Sequence, residues 1–203
     1  MPPLNDILDT PEILAMQDQA CRDFFERNIK PQVDEGSDLL RAAKLNHSWN
    51  MQLWAEEDLA RRLHAPDAEI VANKRAIDKF NQARNNAIEA MDDILIAALP
   101  PQNLDARLNS ETPGSIIDRL SIGCLKLYHM GVQSRREDAS EEHRRLCADK
   151  VATLTLQRDD LASCLTQLLA GCLAGTDRFR VYRQFKMYND ATLNPALIAE
   201  MRK

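Results

Sequence analysis

The sequence predicts an all-α protein: a single helical bundle of about five helices, of which the third, fourth and fifth are long. Three observations support this. Glycine is scarce, at 6 of 203 residues. Leu, Ala, Glu, Arg and Asp outweigh β-branched and aromatic residues, which favours helix over strand. Apolar residues also recur at three- and four-residue spacing over long stretches. A chain of this length fits one domain that buries about 70% of its unfolded surface.

The first two helices are defined by their start signals. Thr10-Pro11 gives an N-cap hydroxyl followed by proline at the first helical position, and the helix runs to about Ile29. The second segment opens at Gly36-Ser37-Asp38 and continues to about Leu63. Its apolar periodicity is interrupted near Asn46, where we expect that the helix can break.

Prolines delimit the next two helices. Pro66-Asp67 starts a long third helix that reaches about Leu99, before two further prolines. Residues 100–112 form the one clear linker, rich in Pro, Asn, Ser and Asp. Thr112-Pro113 then repeats the cap-and-proline signal and starts a fourth helix that ends near Gly131.

The fifth helix has the most regular pattern. Asp138-x-x-Glu141 resembles a capping box, and Gly175 ends the helix. Its seam follows a four-three spacing typical of a bundle helix, with one charged member: Cys147, Val151, Leu154, Arg158, Leu161, Leu165, Leu168 and Cys172. We expect residues 176–203 to form a tail that packs on the bundle.

The third helix carries polar residues on the same spacing: Ile70, Lys74, Ile77, Asn81, Arg84, Ile88, Met91 and Leu95, with Asp78 on the adjacent strip. Burying such groups costs a few kcal/mol each unless they are hydrogen-bonded or paired. Two interpretations stay open. Either the polar residues face water on a rotated helix, or they line a pocket inside the bundle.

The fourth helix has a basic side, formed by Ser115, Arg119, Ile122, Lys126 and His129 and bordered by Asp118. Its start, Thr112, Gly114 and Ser115, offers free N–H groups at the positive end of a helix dipole, which suits a phosphate or carboxylate. The alternative is a capped helix whose basic face is solvated. His129 is one of two candidates for a proton-transfer group, and Glu57 on the second segment is the other.

The second segment places His47, Asn50, Trp54, Glu57 and Arg61 at helical spacing. A lone histidine beside a tryptophan is more typical of a packed, hydrogen-bonded side chain than of a metal ligand. The acidic groups resemble those of all-α nucleotide pyrophosphohydrolases, which hold magnesium with ExxE and ExxD motifs. The candidate magnesium ligands are Glu57, Glu89 and Asp92, but Ala60 occupies the position expected for a further acid.

Composition and charge bear on whether the protein binds nucleic acid or lipid, is secreted, or spans a membrane. The formal net charge of −5 gives no overall attraction to nucleic acid or anionic lipid. The first ten residues carry no secretory signal, and the longest apolar run, residues 94–99, is far too short to span a membrane. Five cysteines without a CxxC pair indicate buried free thiols and a cytoplasmic location. The basic and aromatic strip 178–188 either closes over an anionic ligand or packs its rings on the bundle.

A long unusual string also resembles a known family. Residues 109–122 read NSETPGSIIDRLSI, residues 125–130 read LKLYHM, and the tail contains YRQFKMYND and LNPAL. These motifs resemble an uncharacterised bacterial family, the domain of unknown function numbered 4254, over residues 45–198, with the N-terminal helix outside the match. The resemblance implies a cytoplasmic helical protein and a link to cell-surface polysaccharide biosynthesis, and it assigns no catalytic residue.

The leading hypothesis is binding, with turnover left open, of a small anionic metabolite such as a sugar phosphate or nucleotide-sugar. Its ligand-binding residues are those of the polar stripes: Lys74, Asp78, Asn81, Arg84, Thr112, Gly114, Ser115, Asp118, Arg119 and Lys126. The alternatives are a helical adaptor that self-associates through the fifth-helix seam and the tail, and a magnesium-dependent pyrophosphohydrolase.

Overall fold

The chain folds as an all-α bundle, which confirms the predicted class. The structure, a computed structural model, describes residues 8–183 and 190–201. Within these residues the elements are α1 (Thr10–Arg27), α2 (Asp38–Ala60), α3 (Asp67–Ala98), β1 (Arg107–Asn109), α4 (Pro113–Ser134), α5 (Glu141–Ala174), β2 (Asp177–Phe179) and α6 (Pro195–Met201). The third and fifth helices are the longest, at 32 and 34 residues. The fourth has 22 residues, close to the 23 of α2.

Side-chain caps fix the starts of α1, α2, α4 and α5, in two cases one or two residues from the predicted position, whereas α3 starts after Pro66 without one. Asp9, rather than Thr10, accepts the N–H of Glu12 at the start of α1. Ser140, rather than Asp138, caps α5, because Asp138 is held by an ion pair with Arg136. Any of these short oxygen-bearing side chains satisfies the free N–H groups of a first turn, so sequence alone does not select between neighbours.

Two helices continue past the point where the sequence suggested an interruption. α2 runs unbroken through Asn46, whose buried side chain donates to Asp118 on α4 instead of leaving the helix. α4 continues past Gly131 to Ser134, and the hydroxyl of Ser134 donates to the Gly131 carbonyl. The polar residue therefore marks an interhelical contact, and not a break.

α4 is the central helix. It contacts α1, α2, α3 and α5, while α2 packs along α3 and α5 packs along α4. The main core lies where these helices meet and contains Ile13, Leu39, Ala43, Met91, Leu95, Ile117, Leu120, Leu165 and Leu169. The four helices packed on α4 thus all place side chains against this one central helix.

The predicted seam of α5 lies inside the bundle. Cys147, Leu165, Leu168 and Cys172 are buried, and the other members are half-buried. Its charged member, Arg158, donates to Asp18 of α1 at 2.7 Å (Nη1 to Oδ1). The seam therefore packs against α4 and α1 within the chain, and its use as an interface with another chain stays a prediction.

A short parallel strand pair, which the sequence did not predict, joins the linker to the chain after α5. Arg107, Leu108 and Asn109 pair with Asp177, Arg178 and Phe179, and Phe179 is buried in the core. Further along the tail, Arg183 pairs with Glu89 and Asp93 of α3. Residues 184–188 of the basic and aromatic strip lie outside the described residues.

In the described ranges, every helix is too short or too polar to cross a membrane. The five cysteines are free thiols, buried except for Cys164.

Candidate functional site

Polar side chains meet between α2 and α4, in the interior of the bundle. Asn46, His47 and Asn50 lie within about one turn of α2, and Asp118 and Ser121 lie one turn apart on α4. All five are buried. We call these five residues the polar network. Because burial of unpaired polar groups is costly, each member needs a partner.

Asp118 is the charged centre of the polar network. Its Oδ1 accepts hydrogen bonds from the side-chain amides of Asn46 and Asn50, each at 2.9 Å. The Nε of Arg84, from α3, lies 3.4 Å from the same oxygen. Two neutral amides thus stabilise the buried carboxylate, and Arg84 balances its charge from a longer distance.

His47 joins the polar network to α1. Its Nε2 lies 3.1 Å from the carbonyl oxygen of Gln17, which can only accept, so Nε2 carries the proton. Nδ1 lies 2.7 Å from the hydroxyl of Ser121, which can donate or accept, and Ser121 accepts from Asn50 at 2.9 Å. These contacts fix the orientation of the imidazole ring.

Two buried cysteines, Cys21 of α1 and Cys124 of α4, lie next to His47. Cys21 Sγ lies 3.5 Å from His47 Nε2 and 3.5 Å from Cys124 Sγ, and Cys124 donates to Asp18 Oδ1 at 3.2 Å. The contact with Cys124 is the main cause that lowers the pKa of Cys21 to about 6, while the same contact and burial raise the pKa of Cys124. In the described part of the chain, Cys21, His47 and Cys124 form the one His, Cys, Asp or Glu group close enough to hold a metal, with ligand atoms within 4.8 Å.

A pocket of about 360 Å³ opens beside the polar network, and we call it the arginine pocket. It is lined by residues of α2, α3 and α4 and the residue that ends α2: Asn50, Leu53, Trp54, Glu57, Asp58, Arg61, Asn81, Arg84, Ile122 and Leu125. Arg84 is half-buried, and its guanidinium forms no hydrogen bond within the described residues; its charge contact is Asp118. Three residues predicted to bind a ligand or transfer a proton, Asn81, Arg84 and Glu57, therefore share this pocket.

The other charges of the arginine pocket are partly paired. Glu57 forms an ion pair with Arg61 at 2.5 Å, one turn apart on α2. Asp58 forms no ion pair within the described residues. The pocket thus combines the arginine charge of Arg84 with carboxylates that can accept hydrogen bonds from hydroxyl groups.

A second pocket, of about 390 Å³, lies on the other side of Trp54, and we call it the lysine pocket. Its lining is mainly α4 and α5: Trp54, Lys126, His129, Met130, Gln133, Lys150, Thr153, Leu154 and Gln157. His129 stacks on Trp54 with ring centroids 4.5 Å apart, and burial lowers its pKa. The two predicted proton-transfer candidates, His129 and Glu57, therefore lie in different pockets that share Trp54.

Three other predicted ligand-binding residues lie on the surface, away from both pockets. Lys74 and Asp78 form an exposed ion pair with each other on α3. Arg119 forms an exposed ion pair with Glu111 at 2.5 Å. These positions correspond to the alternative in which part of each polar stripe is solvated, so the predicted ligand-binding set does not converge as a whole.

The start of α4 already holds a carboxylate of the protein. Gly114 N donates to Asp92 Oδ1 at 2.7 Å, and Thr112 caps the helix by accepting from Ser115 N. A Cβ on Gly114 would lie 2.6 Å from that carboxylate oxygen and 2.6 Å from the carbonyl of Ile88. Burial raises the pKa of Asp92, although the Thr112 and Gly114 hydrogen bonds oppose this. The helix start is thus closed by packing against α3.

The predicted magnesium ligands do not come together. Glu56, next to Glu57, accepts from Asn73, which places this end of α2 beside the first turns of α3. Glu89 lies about 24 Å further along α3, at about 1.5 Å of rise per residue. Asp92 is engaged by Gly114. Glu57 therefore cannot share a cation with Glu89 and Asp92.

Sequence reasoning missed the polar network and the group formed by Cys21, His47 and Cys124, which we call the thiol cluster. His47 was expected to be packed and hydrogen-bonded, which is correct, but its neighbours Cys21, Ser121 and Cys124 were not anticipated. Cys124 lies on the apolar side of α4 and Ser121 beside its basic side, and the sequence contains no signal that α1, α2 and α4 bring these residues together.

Comparison with family models gave one match. The family described as "Protein of unknown function (DUF4254)" matches residues 40–181, well over half of the chain. The match begins in the first turn of α2 and ends just after β2, so α1 and the tail beyond residue 181 lie outside it. Searches of curated proteins and of solved structures gave no match.

Proposed function

We propose that this chain, which belongs to the DUF4254 family, binds a small anionic metabolite in the arginine pocket. A sugar phosphate or nucleotide-sugar, of the kind consumed in polysaccharide assembly, fits the chemistry of the lining best. One observation carries the proposal. Arg84 lines the pocket with a guanidinium that forms no hydrogen bond within the described residues and is held by one ion pair of 3.4 Å.

The pairing of Asp118 explains why Arg84 can serve a ligand. Asn46 and Asn50 already donate to the carboxylate at 2.9 Å, so Asp118 does not depend on Arg84 for its hydrogen bonds. The planar guanidinium has five donors in a fixed fork that matches phosphate oxygens. Charge-assisted hydrogen bonds of this kind contribute about 1.5–3 kcal/mol each.

The rest of the lining suits a hydroxylated ligand. Asp58 and the Glu57–Arg61 pair offer carboxylate oxygens that can accept from sugar hydroxyls. Asn81 adds an amide that donates and accepts, and Trp54 adds an aromatic wall. Glu57 is the candidate proton-transfer group within this pocket; His129 lies across Trp54 in the lysine pocket.

A thermal-shift screen with inorganic phosphate, glucose 1-phosphate and UDP-glucose tests the proposal. A ligand at 100 times its dissociation constant adds about 2.7 kcal/mol of stability, which is a shift of several degrees at this size. For a ligand that binds, we expect Arg84→Ala to weaken affinity by roughly 10- to 100-fold, the loss of one charge-assisted contact. Isothermal titration calorimetry measures that change.

Arg75→Ala is the matched control. Arg75 is exposed on the same helix and outside both pockets, so its removal subtracts the same charge without touching the site. Arg84→Lys separates charge from geometry, because a lysine keeps the charge and loses the planar fork. Equal affinity in the wild type and in Arg84→Ala, or no stabilisation by any of the three compounds, contradicts the proposal.

A further inference from the structure

The thiol cluster has the dimensions of a tetrahedral metal site. Zinc binds sulfur at about 2.3 Å and imidazole nitrogen at about 2.0–2.1 Å, so tetrahedral ligands lie about 3.8 Å (S to S) and about 3.6 Å (S to N) apart. The Cys21 and Cys124 sulfurs are 3.5 Å apart, and Cys21 Sγ is 3.5 Å from His47 Nε2. Two of the three ligand-atom separations are therefore already close to those of a tetrahedral zinc site, and all three ligand atoms lie within 4.8 Å of one another.

We propose that Cys21, Cys124 and His47 bind one Zn²⁺ ion. The fourth ligand is a water held by the carboxylate of Asp18, whose Oδ1 lies 3.2 Å from Cys124 Sγ. Cysteine thiolates and neutral imidazole are the ligands that zinc takes in proteins, and magnesium or calcium would require oxygen ligands instead.

Charge balance supports a cation at this place. Two thiolates neutralise Zn²⁺, and the negative charge of Asp18 is balanced by Arg158, whose Nη1 donates to it at 2.7 Å. The loaded site would thus carry no net charge, which limits the cost of burying it. The pairing also explains why the seam of α5 contains an arginine at this one position.

Both sulfurs coordinate the metal as thiolates, so any proton that either thiol still carries is released to solvent on binding, up to two per ion. The imidazole proton moves from Nε2 to Nδ1, where it donates to Ser121 Oγ at 2.7 Å, so Nε2 is freed to coordinate. The Gln17 carbonyl then loses the histidine donor but still accepts from Cys21 N within α1. Ser121 and Asn50 become the outer hydrogen bonds that orient the histidine ligand.

A buried side-chain amide near the thiol cluster also lacks hydrogen-bond partners. Gln17 lies one turn before Cys21 on α1, is fully buried, and neither side-chain atom has a hydrogen-bond partner in the described structure. Such groups are rare in folded proteins and point to a missing partner.

Metal content and cobalt substitution test the site. Protein purified in reductant and without chelator is analysed by inductively coupled plasma mass spectrometry, then stripped and titrated with Co²⁺. We expect one zinc ion per chain as purified, and one Co²⁺ per chain with thiolate-to-cobalt charge-transfer bands and the visible bands of tetrahedral cobalt. Binding of Co²⁺ to the stripped protein should release protons, because the sulfurs coordinate as thiolates, and Zn²⁺ should then displace the cobalt without further proton release.

Cys21→Ser and Cys124→Ser should each abolish the charge-transfer bands. Cys164→Ser and Cys172→Ser are the controls, one exposed and one buried, and both should retain them. Arg84→Ala should also retain them, which separates this site from ligand binding in the arginine pocket. Should the serine variants not fold, the wild type still decides. Wild-type protein that takes up no Co²⁺ with thiolate bands, or that joins Cys21 to Cys124 in a disulfide under the same reducing conditions, overturns the proposal.

Discussion

Asp118 illustrates how single side chains set the chemistry of this bundle. A carboxylate buried on α4 requires donors, and two asparagines of α2 supply them from the same turn. A basic residue in their place would neutralise Asp118 directly and leave Arg84 without its partner. The asparagines instead satisfy the oxygen while leaving the negative charge in place, so Arg84 remains at the wall of the arginine pocket.

His129 gives the molecule a titration that opposes folding at acidic pH. Burial against Trp54 and Phe25 lowers the pKa of its imidazole, whereas in the unfolded chain that pKa returns to about 6.5. Between the two pKa values the unfolded chain binds more protons. The free energy of unfolding therefore falls as pH drops below about 6.5.

We expect His129→Phe to weaken this pH dependence, since phenylalanine preserves a ring against Trp54 and does not titrate. Urea unfolding at about pH 7.5 and about pH 5 measures it, and the wild type should lose more stability than the variant over this interval. His64→Asn, at an exposed loop position, is the control and should behave as the wild type. An identical loss in wild type and His129→Phe would show that the imidazole is protonated equally in both states.

At the scale of elements, α5 separates clearly into a packed and a free side. Leu165 is fully buried in the main core, while Leu156 on the same helix is 63% exposed. The four-three spacing of apolar residues identified the packed side, because a helix places every third or fourth residue on one face.

Truncation of these two leucines should differ sharply. Leu165→Ala should lower the free energy of unfolding by about 2–5 kcal/mol, since it removes buried methyl groups and leaves a cavity. Leu156→Ala should change it by no more than about 0.5 kcal/mol. Denaturant unfolding with a shared m-value measures both. Comparable losses in the two variants would mean that the exposed side of α5 is covered in solution.

The same element scale shows what the sequence could and could not predict. Caps and prolines located five helices, and the seam of α5 was correct, because these signals are local. The polar stripe of α3 was ambiguous because residues at the same helical spacing lie in two environments. Lys74 is exposed to solvent, whereas Arg84, less than three turns further along, contacts Asp118. The thiol cluster depends on how α1, α2 and α4 pack, and long-range packing leaves no mark on the periodicity of any one helix.

At the scale of the whole molecule, α4 is surrounded by the other long helices. It contacts α1, α2, α3 and α5, and its side chains contribute to the core, the polar network, the thiol cluster and both pockets. Local opening of α4 would therefore disrupt every one of these regions together.

Amide hydrogen exchange tests whether α4 opens only when the whole bundle unfolds. Amides of residues 116–125 should exchange most slowly, close to the limit set by global unfolding, because no smaller opening exposes them. Amides of the first turns of α5, whose side chains are largely exposed, should exchange faster. Exchange measured by mass spectrometry on peptic fragments resolves the two regions. Equal protection of both would indicate that the bundle opens as one unit.

The strand pair between residues 107–109 and 177–179 bears on the order of folding. Its partners are 70 residues apart, and the whole of α4 and α5 lies between them. Closing so long a loop for three residues of pairing is entropically unfavourable until the intervening helices have folded back on each other. The two strands should therefore pair last, after α4 and α5 have packed against each other. Phe179 would then enter the core only when the rest of that core has formed.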